Sequence, residues 1–291
     1  MNKYISKILV LIFLICVSMS VPADKFRQLN FRLIDAARSD DINEVKTLIE
    51  QGASVEARNR FGNSALIYAA RNGNMEVVRF LANQGANINL INVNGETALM
   101  GAATNGYLHM VEYLVNNGAN INHASLKQIT ALAAAIYGGH TDTALFLLAK
   151  GARADIQDNS GKTALVYAAA KGNTEVLERV IESGIDINHQ HGNDLTALMW
   201  AAGYGHYEAS ELLLKAGAEP DLMDNRGRTA LMMAVEGGYI DLVRLLLYHN
   251  ADISLTDKQG KSAVDLANAS IRDDVVRLTK TRQEIILPQN H

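Results

Sequence analysis

The amino-acid sequence repeats with a period of 33 residues along most of its length. The tripeptide Thr97-Ala98-Leu99 recurs in the same or a closely similar form at every step of 33, and no insertion or deletion interrupts the register. A fixed period between about 20 and 50 residues is typical of an array of identical supersecondary units. This period constrains the fold before composition is considered. The copies begin at Ser64, Thr97, Thr130, Thr163, Thr196, Thr229 and Ser262.

Each copy predicts two short helices joined by a tight turn. The Thr or Ser that opens a copy is an N-cap residue, whose hydroxyl can accept from an unpaired amide of the first helical turn. In the copy that starts at Thr97, apolar residues recur at helical spacing before Gly106, and a second apolar stripe runs from Met110 to Val115. Gly118 then supplies a left-handed C-cap. Neither helix can bury its apolar face alone, so neighbouring copies must stack.

These residues resemble the ankyrin repeat, which has the same period and a Thr-Pro-Leu-His signature. The resemblance extends over roughly residues 26 to 284 and implies an all-α ankyrin-repeat solenoid of helix-turn-helix units with extended finger tips, about eight repeats including caps. The signature Pro is Ala in every full copy, and Ala is a good helix former. The signature His ties turns together by hydrogen bonds in the family, so its loss implies weaker polar bonding between repeats. It is replaced by Ile67, Met100, Ala133, Val166, Met199 and Met232.

The register also divides the chain into segments. The repeat domain spans residues 24–287, and its first repeat, 26–58, is atypical and charged, as a terminal cap requires for solubility. Residues 257–287 form a second charged cap, and 288–291 are predicted to be a frayed tail. The full repeats between the caps are 59–91, 92–124, 125–157, 158–190, 191–223 and 224–256.

Residues 1–23 precede the repeats and resemble a secretory signal peptide. A short basic start is followed by an apolar run at 8–17 and by small residues that suit cleavage before Asp24. The run is too short for a standard membrane span of about 20 apolar residues. An uncleaved anchor is the alternative. A lipoprotein site at Cys16 is disfavoured because the bulky Ile15 precedes it inside the apolar run.

Composition agrees with an exported protein that needs no disulfide. Cys16 is the only cysteine and leaves with the signal peptide, yet a chain of about 268 residues can bury a sufficient core without one. Loss of Lys3 and Lys7 makes the formal charge of −4 two units more negative. Because nucleic-acid binding needs a basic surface, a nucleic-acid partner is not expected. We expect a periplasmic protein, or alternatively a secreted one, with no membrane insertion after cleavage.

Residue types that carry catalysis or bind metals are not grouped in this sequence. It contains no serine nucleophile motif, no phosphate-binding loop and no catalytic cysteine, and its acidic residues are spread over the repeats. His189 and His191 are the only close histidine pair, and no third ligand accompanies them, so the interpretation is a solvated tip. His140 and His206 follow the turn glycine, where the family commonly has a structural histidine. The sequence predicts no enzyme, no cofactor and no metal.

The residues with the clearest binding potential lie on the first helix of each unit. In ankyrin arrays this helix lines the concave face, and stacking turns one repeat position into a ladder. Large aromatic side chains on such a surface are the usual anchors of binding energy. The alternative is that these rings only pack along the helices and shield the core. The main candidates are Tyr137, Tyr167, Trp200, Tyr204 and Met233, with a smaller cluster of Phe61, Tyr68 and Arg71. Met100, Met199 and Met232 are predicted to be core.

The finger tips offer a second candidate surface. Gln128 and Asp194 replace a glycine that the neighbouring tips contain. Because Gln tolerates left-handed backbone poorly, the tip at 125–129 is predicted to be reshaped. The apolar residues of this tip, Leu126 and Ile129, are predicted to be exposed and available to a partner. Structural drift is the alternative explanation.

The sequence as a whole predicts a monomeric, non-catalytic scaffold for protein–protein interaction. In a periplasm such a protein would inhibit, stabilise or localise another envelope or exported protein through its groove and tips. The alternative is a bacterial effector, secreted to bind host proteins. An enzyme is less well supported because it would require a buried polar pocket, for which no motif is present.

Overall fold

A computed structural model of the chain describes residues 23–269, which fold into helices joined by turns. No β-structure beyond isolated bridges occurs in this range, so the predicted all-α solenoid of helix-turn-helix units is confirmed. The predicted signal peptide up to residue 22, the C-terminal cap from residue 270 and the tail at 288–291 lie outside the described residues. None of the helices described is long and apolar enough to span a membrane.

The chain divides into two compact units, Met1–Gly101 and Ala102–His291. In the first unit, α1 packs against α2 and α3, and α3 packs against α4, so each helix contacts its partner within the repeat or the equivalent helix of the next. Helix α5 crosses the boundary between the units. The bounds in this part are α1 Ala23–Arg38, α2 Ile42–Glu50, α3 Ala65–Asn72, α4 Met75–Asn83 and α5 Ala98–Thr104.

The second unit continues the same alternation in two helical layers. The first helices of successive repeats, α7, α9, α11, α13 and α15, pack side by side in one layer. The second helices, α6, α8, α10, α12 and α14, form the other layer. The bounds are α6 Leu108–Asn116, α7 Ala131–Gly138, α8 Thr141–Ala149, α9 Ala164–Lys171, α10 Thr174–Glu182, α11 Ala197–Tyr204, α12 Tyr207–Lys215, α13 Ala230–Gly237, α14 Ile240–Tyr248 and α15 Ala263–Ala269.

The repeated Ala-Leu pair forms the core between the two layers. In each first helix these residues are buried, for example Leu132 and Leu198 in the second unit. Met199 and Met232, which occupy the position of the signature histidine, are also buried, as predicted. The regular period of the sequence thus corresponds to a continuous apolar interior along each unit.

Most first helices begin as the sequence predicts. The hydroxyls of Thr130, Thr196 and Thr229 each accept a hydrogen bond from the backbone N–H three residues later. Thr163 has the same extended N-cap conformation, but its side chain makes no capping bond. Hydroxyl capping therefore recurs along the array with one exception in the second unit.

Most of the tips described are β-turns held by the side chain of their first residue. In the tip that opens with Asp158, one carboxylate oxygen accepts from the backbone N–H groups of Ser160 and Lys162. Gln128 takes the left-handed conformation at φ 59°, where the neighbouring tips have glycine. The same turn forms here, with Gln128 N–H donating to the Ser125 carbonyl at 2.8 Å. The predicted reshaping of this tip is therefore wrong.

Polar bonds do join successive repeats, although the signature histidine is absent. The His140 ring approaches the Thr104 carbonyl with its Nε2 at 3.0 Å, and His206 makes the equivalent bond to the Ala170 carbonyl at 3.1 Å. A Cβ at Gly106 would overlap the His140 ring, so glycine is required where the ring crosses the turn. These histidines supply polar bonds between repeats. The sequence had led us to expect that such bonding would be weaker, because the signature histidine is missing.

Candidate functional site

Four of the aromatic residues singled out in the sequence lie together in the second unit. Tyr137 and Tyr167 meet edge to face, with ring centroids 6.2 Å apart. Trp200 and Tyr204, one helical turn apart on α11, stack with centroids at 5.9 Å. Tyr137 and Tyr204 are exposed by 65% and 56%, which is unusual for rings that serve only to fill a core.

Two lysines lie over these rings. The Lys171 Nζ is 4.5 Å from the centroid of Tyr137, and the Lys162 Nζ is 4.5 Å from the Trp200 ring. Both distances are within the range of a cation–π interaction. Within residues 23–269, neither lysine has a carboxylate within ion-pair distance. We call this set the aromatic–lysine surface, and it comprises Tyr137, Lys162, Tyr167, Lys171, Trp200 and Tyr204.

A cavity opens among the residues of the aromatic–lysine surface. Its volume is about 330 Å³, and Val166 and Ala170 of α9 complete its lining. A second cavity of about 430 Å³ also borders Trp200 and Tyr204, so both rings contribute to both cavities. Volumes from about 300 Å³ upward are typical of ligand pockets. The second cavity is further lined by Leu195, Met199, Gly203, Arg228, Met233, Glu236 and Gly237.

The charged groups of the second cavity are already paired. The Arg228 guanidinium contacts the buried carboxylate of Asp224 at 2.9 Å and the Glu236 carboxylate at 3.3 Å. Burial alone would raise the pKa of Asp224, but hydrogen bonds from the Arg228 and Arg226 backbone and from the Arg228 side chain hold that pKa below its ordinary value. This cavity therefore presents neutralised charge, whereas the cavity between the two lysines does not.

Hydrogen bonds within single repeats orient two of the rings. Tyr167 O–H donates to the Asp158 carboxylate at 2.6 Å, and Trp200 Nε1–H donates to His191 Nε2 at 3.0 Å. In both repeats the acceptor opens the tip and lies nine residues before the ring. Burial, together with this bond to Asp158, raises the pKa of Tyr167 well above its ordinary value, so the phenol stays protonated. The tip thus fixes the ring on the helix that follows it.

His191, like Lys162 and Lys171, is a functional-site residue that the sequence did not reveal. It is only 5% exposed, and its ring stacks on Trp200 with 6.5 Å between centroids. The interpretation of this tip as solvated is therefore wrong at His191. Its register position is the one available signal, because it lies 33 residues after Asp158 and places a histidine where the other tips open with Asn, Ser or Asp.

The charge state of His191 follows from its surroundings. Burial, and then the positive charges of His189 and Lys162, lower the pKa of His191 to about 4. The neutral ring must accept at Nε2, because an indole N–H can only donate, and so its proton lies on Nδ1. Nδ1 is buried and has no hydrogen-bond partner within residues 23–269. His191 therefore acts as a neutral support for Trp200.

The remaining candidates of the second unit are less available than predicted. Met233 is buried and contributes only to the wall of the second cavity. Ile129 is half-buried, so its predicted exposure is wrong. Leu126 is 69% exposed, as predicted, and lies on the tip of repeat 125–157 rather than on a first helix. The tip at 125–129 therefore presents one exposed apolar side chain, that of Leu126, instead of the two that were predicted.

The smaller cluster lies in the first unit. Tyr68 is half-buried, and its hydroxyl accepts from Asn59 Nδ2 at 3.1 Å. The Arg71 guanidinium forms an ion pair with Glu96 at 2.8 Å. Phe61 is exposed on the tip, where the Arg60 guanidinium lies 4.7 Å from its ring centroid. This cluster is largely satisfied by its own hydrogen bonds and charges.

Over residues 23–269, no group of three or more His, Cys, Asp or Glu side chains is placed to hold a metal ion. His189 Nε2 lies 3.1 Å from the Gln157 side-chain nitrogen of the preceding repeat. His191 is turned to Trp200 instead. The two histidines of this tip thus have different neighbours.

Comparison with protein families gives one result that covers most of the chain. A family model described as ankyrin repeats in three copies matches residues 33–125, 122–191 and 188–257. The matches include every residue of the aromatic–lysine surface and the Tyr68 cluster of the first unit. A search of curated proteins finds no significant match.

Proposed function

The chain belongs to the ankyrin-repeat family, and we propose that it is an exported scaffold that binds another protein through the aromatic–lysine surface. Ankyrin repeats are generally modules for protein–protein interaction and are typically non-catalytic. The partner is an envelope or exported protein, which the scaffold inhibits, stabilises or localises. It acts as a monomer.

One observation carries the choice of surface. Tyr137 and Tyr204 remain exposed beside two cavities while Trp200 is held in place by His191. Aromatic residues in well-formed pockets dominate the energy of many protein interfaces. A ring that is preoriented loses less conformational freedom on binding. A purely structural role would not require such exposure.

Export rests on the order of residues at the N-terminus. A basic start, a short apolar run and small residues before Asp24 are the three parts of a Sec-type signal. N-terminal sequencing of the protein from its source cell, after fractionation, tests this part of the proposal. A chain that begins at Asp24 in the periplasmic fraction supports it. An intact N-terminus in the membrane fraction would instead identify an anchor.

Binding is tested by capture from the envelope fraction of the source cell. We expect the wild type to retain a specific protein that Trp200→Ala and Tyr204→Ala lose. Tyr248→Ala is the matched control, because Tyr248 is 78% exposed on α14, in the other helical layer. Circular dichroism first establishes that each variant is folded.

The capture experiment also distinguishes the alternatives. Equal capture by wild type and both surface variants would contradict the aromatic–lysine surface and direct attention to Leu126. Retention of a host protein by the wild type, with no envelope protein captured, would support the secreted effector instead.

A further inference from the structure

We propose that the aromatic–lysine surface recognises an acidic peptide segment of its partner. A carboxylate of this segment is held by Lys162 and Lys171, and an apolar side chain beside it enters the 330 Å³ cavity. This inference rests on the proposed function and specifies the chemistry of the partner.

The two lysines provide the electrostatic part of the recognition. Both line the same cavity, and neither has an ion-pair partner among the described residues. Other basic side chains of this unit do have one, such as Arg179 with Glu182 and Lys215 with Glu211. The cavity therefore carries two positive charges that no carboxylate of the described residues pairs with, and a partner can supply the negative charge.

In the described part of the chain, Asp158 forms no ion pair with Lys162 or Lys171. Its carboxylate accepts from the Tyr167 hydroxyl and from the backbone N–H groups of Ser160 and Lys162. No ion pair between Asp158 and Lys162 occurs within residues 23–269, so the carboxylate oxygens lie beyond ion-pair distance of the Lys162 Nζ. The carboxylate is used to hold the tip and the Tyr167 ring.

The rings provide the apolar part of the recognition. Each ammonium lies against an aromatic face, so part of its hydration is already lost, and an incoming carboxylate meets less competition from water. The cavity between the rings is at the small end of the range for ligand pockets. That size suits one apolar or aromatic side chain.

Other anionic occupants fit the surface less well. The whole chain is acidic, with a formal charge of −4, so a polyanion such as nucleic acid would be repelled. A membrane surface binds through larger groups of basic residues, typically 4–8 in a cluster, and not through two. A small inorganic anion would leave the rings uncovered. An acidic peptide uses both the charge and the apolar cavity.

The first test is selection of a random peptide library displayed on phage against the immobilised full chain. We expect enrichment of sequences with Asp or Glu next to an aromatic residue or Leu. Enrichment of neutral or basic sequences, or no enrichment, would overturn the inference. Light scattering of the chain alone tests a second copy as the occupant, because association lost in Lys162→Gln would likewise overturn it.

The second test measures affinity for one enriched peptide by fluorescence anisotropy. We expect the double variant Lys162→Gln/Lys171→Gln to bind roughly tenfold more weakly, as does the wild type with a peptide whose Asp is changed to Asn or Glu to Gln. Lys150→Gln is the matched control, because Lys150 also lies over a ring, that of Phe146 at 5.5 Å, but at the end of a second helix. Its affinity should equal that of the wild type.

These results separate the inference from the proposed function. Unchanged peptide affinity in the double variant would overturn acid recognition, and capture that depends on Trp200 would still support the scaffold. Lysine-dependent peptide binding without capture of any envelope protein would leave the inference supported and contradict the proposed partner.

Discussion

The same repeat positions carry opposite electrostatic solutions in the two units. In the first unit, Arg71 and Glu96 form an ion pair at 2.8 Å. Steps of 33 along the chain place Tyr137 at the position of Arg71 and Lys162 at the position of Glu96. In the second unit, therefore, a lysine occupies the position of the glutamate, and a tyrosine occupies the position of the arginine. One backbone scaffold supports a surface that is neutralised and a surface that is not.

The aromatic rings, by contrast, are held by the same kind of hydrogen bond in both units. Tyr68, Tyr167 and Trp200 hold one repeat position, and each hydrogen-bonds to the residue nine before it. The difference between the units is therefore not the orientation of the ring but the charge beside it. The predictions below test this distinction.

The largest expected effect is on folding, and it tests whether the units can be compared as separate bodies. Leu66 and Leu132 hold the same repeat position and are both buried. Changing either to Asp places a charge in the core and should cost several kcal/mol, on the order of 3 to 5. Because repeats contact only their neighbours, the loss should be confined to part of the array.

Urea unfolding followed by two signals measures this effect. Trp200 is the only tryptophan and reports the second unit. We expect Leu132→Asp to move the fluorescence transition to lower urea, and Leu66→Asp to reduce the helical signal with a much smaller change in fluorescence. Identical loss of both signals in both variants would show a single cooperative array.

The next largest effect is on binding. Lys162→Glu gives the second unit the charge that Glu96 has in the first, and should weaken binding of an acidic peptide by more than about tenfold. Glu96→Lys changes the formal charge by the same magnitude in the opposite direction at the equivalent position, and should leave this affinity unchanged. Titrations at low and high salt measure both. Weaker binding in Lys162→Glu together with comparably tighter binding in Glu96→Lys would mean that net charge, rather than the surface, controls binding.

A smaller effect concerns the support of Trp200. The pKa of His191 is about 4 in the folded protein, against an ordinary value near 6.5. Its contribution to stability is therefore present above pH 6.5 and is lost as the pH falls toward 4. By linkage, the folded state should lose about 1 kcal/mol through this group between pH 7 and pH 5.5.

His191→Asn is the variant that isolates this dependence. Asn opens the equivalent tip in the first unit at position 59, so the turn should form. We expect the difference in unfolding free energy between pH 7 and 5.5 to be smaller in the variant than in the wild type. An identical pH dependence in both proteins would show that His191 titrates normally.

The smallest effect concerns one tip position. Gln128 adopts φ 59° where the first unit has Gly62 at φ 73°. Gln128→Gly should stabilise by at most about 1 kcal/mol, since the strain of left-handed backbone is partly offset by the entropy of glycine. Gly62→Ala should destabilise, because its Cβ would lie 2.8 Å from the Val93 nitrogen. Thermal unfolding measures both, and a destabilised Gln128→Gly would contradict strain at this tip.

The fold was largely predictable because it depends on apolar side chains that recur with the period. Burial of Met199 and Met232 follows from register alone. Gln128 was misjudged, because the hydrogen bonds of the tip and of its neighbour outweigh the backbone strain of one residue. Local preference was therefore a weaker guide than the repeated context.

The candidate site was only partly predictable for a different reason. The 33-residue spacing identifies Tyr167 and Trp200 as aromatic residues at one repeat position on the first helices, because that position depends only on the period. It does not place Lys162 over Trp200, because that contact joins a tip to the helix of the following repeat. It also does not reveal that His191 is buried, which results from stacking on Trp200. Side-chain contacts of this kind depend on rotamers rather than on period.

The bond between a tip and its own ring has a consequence for how such arrays diversify. His191 and Trp200 belong to one 33-residue unit, so duplication or transplantation of that unit carries an oriented ring with it. The cation beside the ring, Lys162, belongs to the preceding unit and is exchanged when units are shuffled. Recombination of repeats would therefore preserve the oriented Trp200 ring and change the charged residue beside it, at the junction between two repeats.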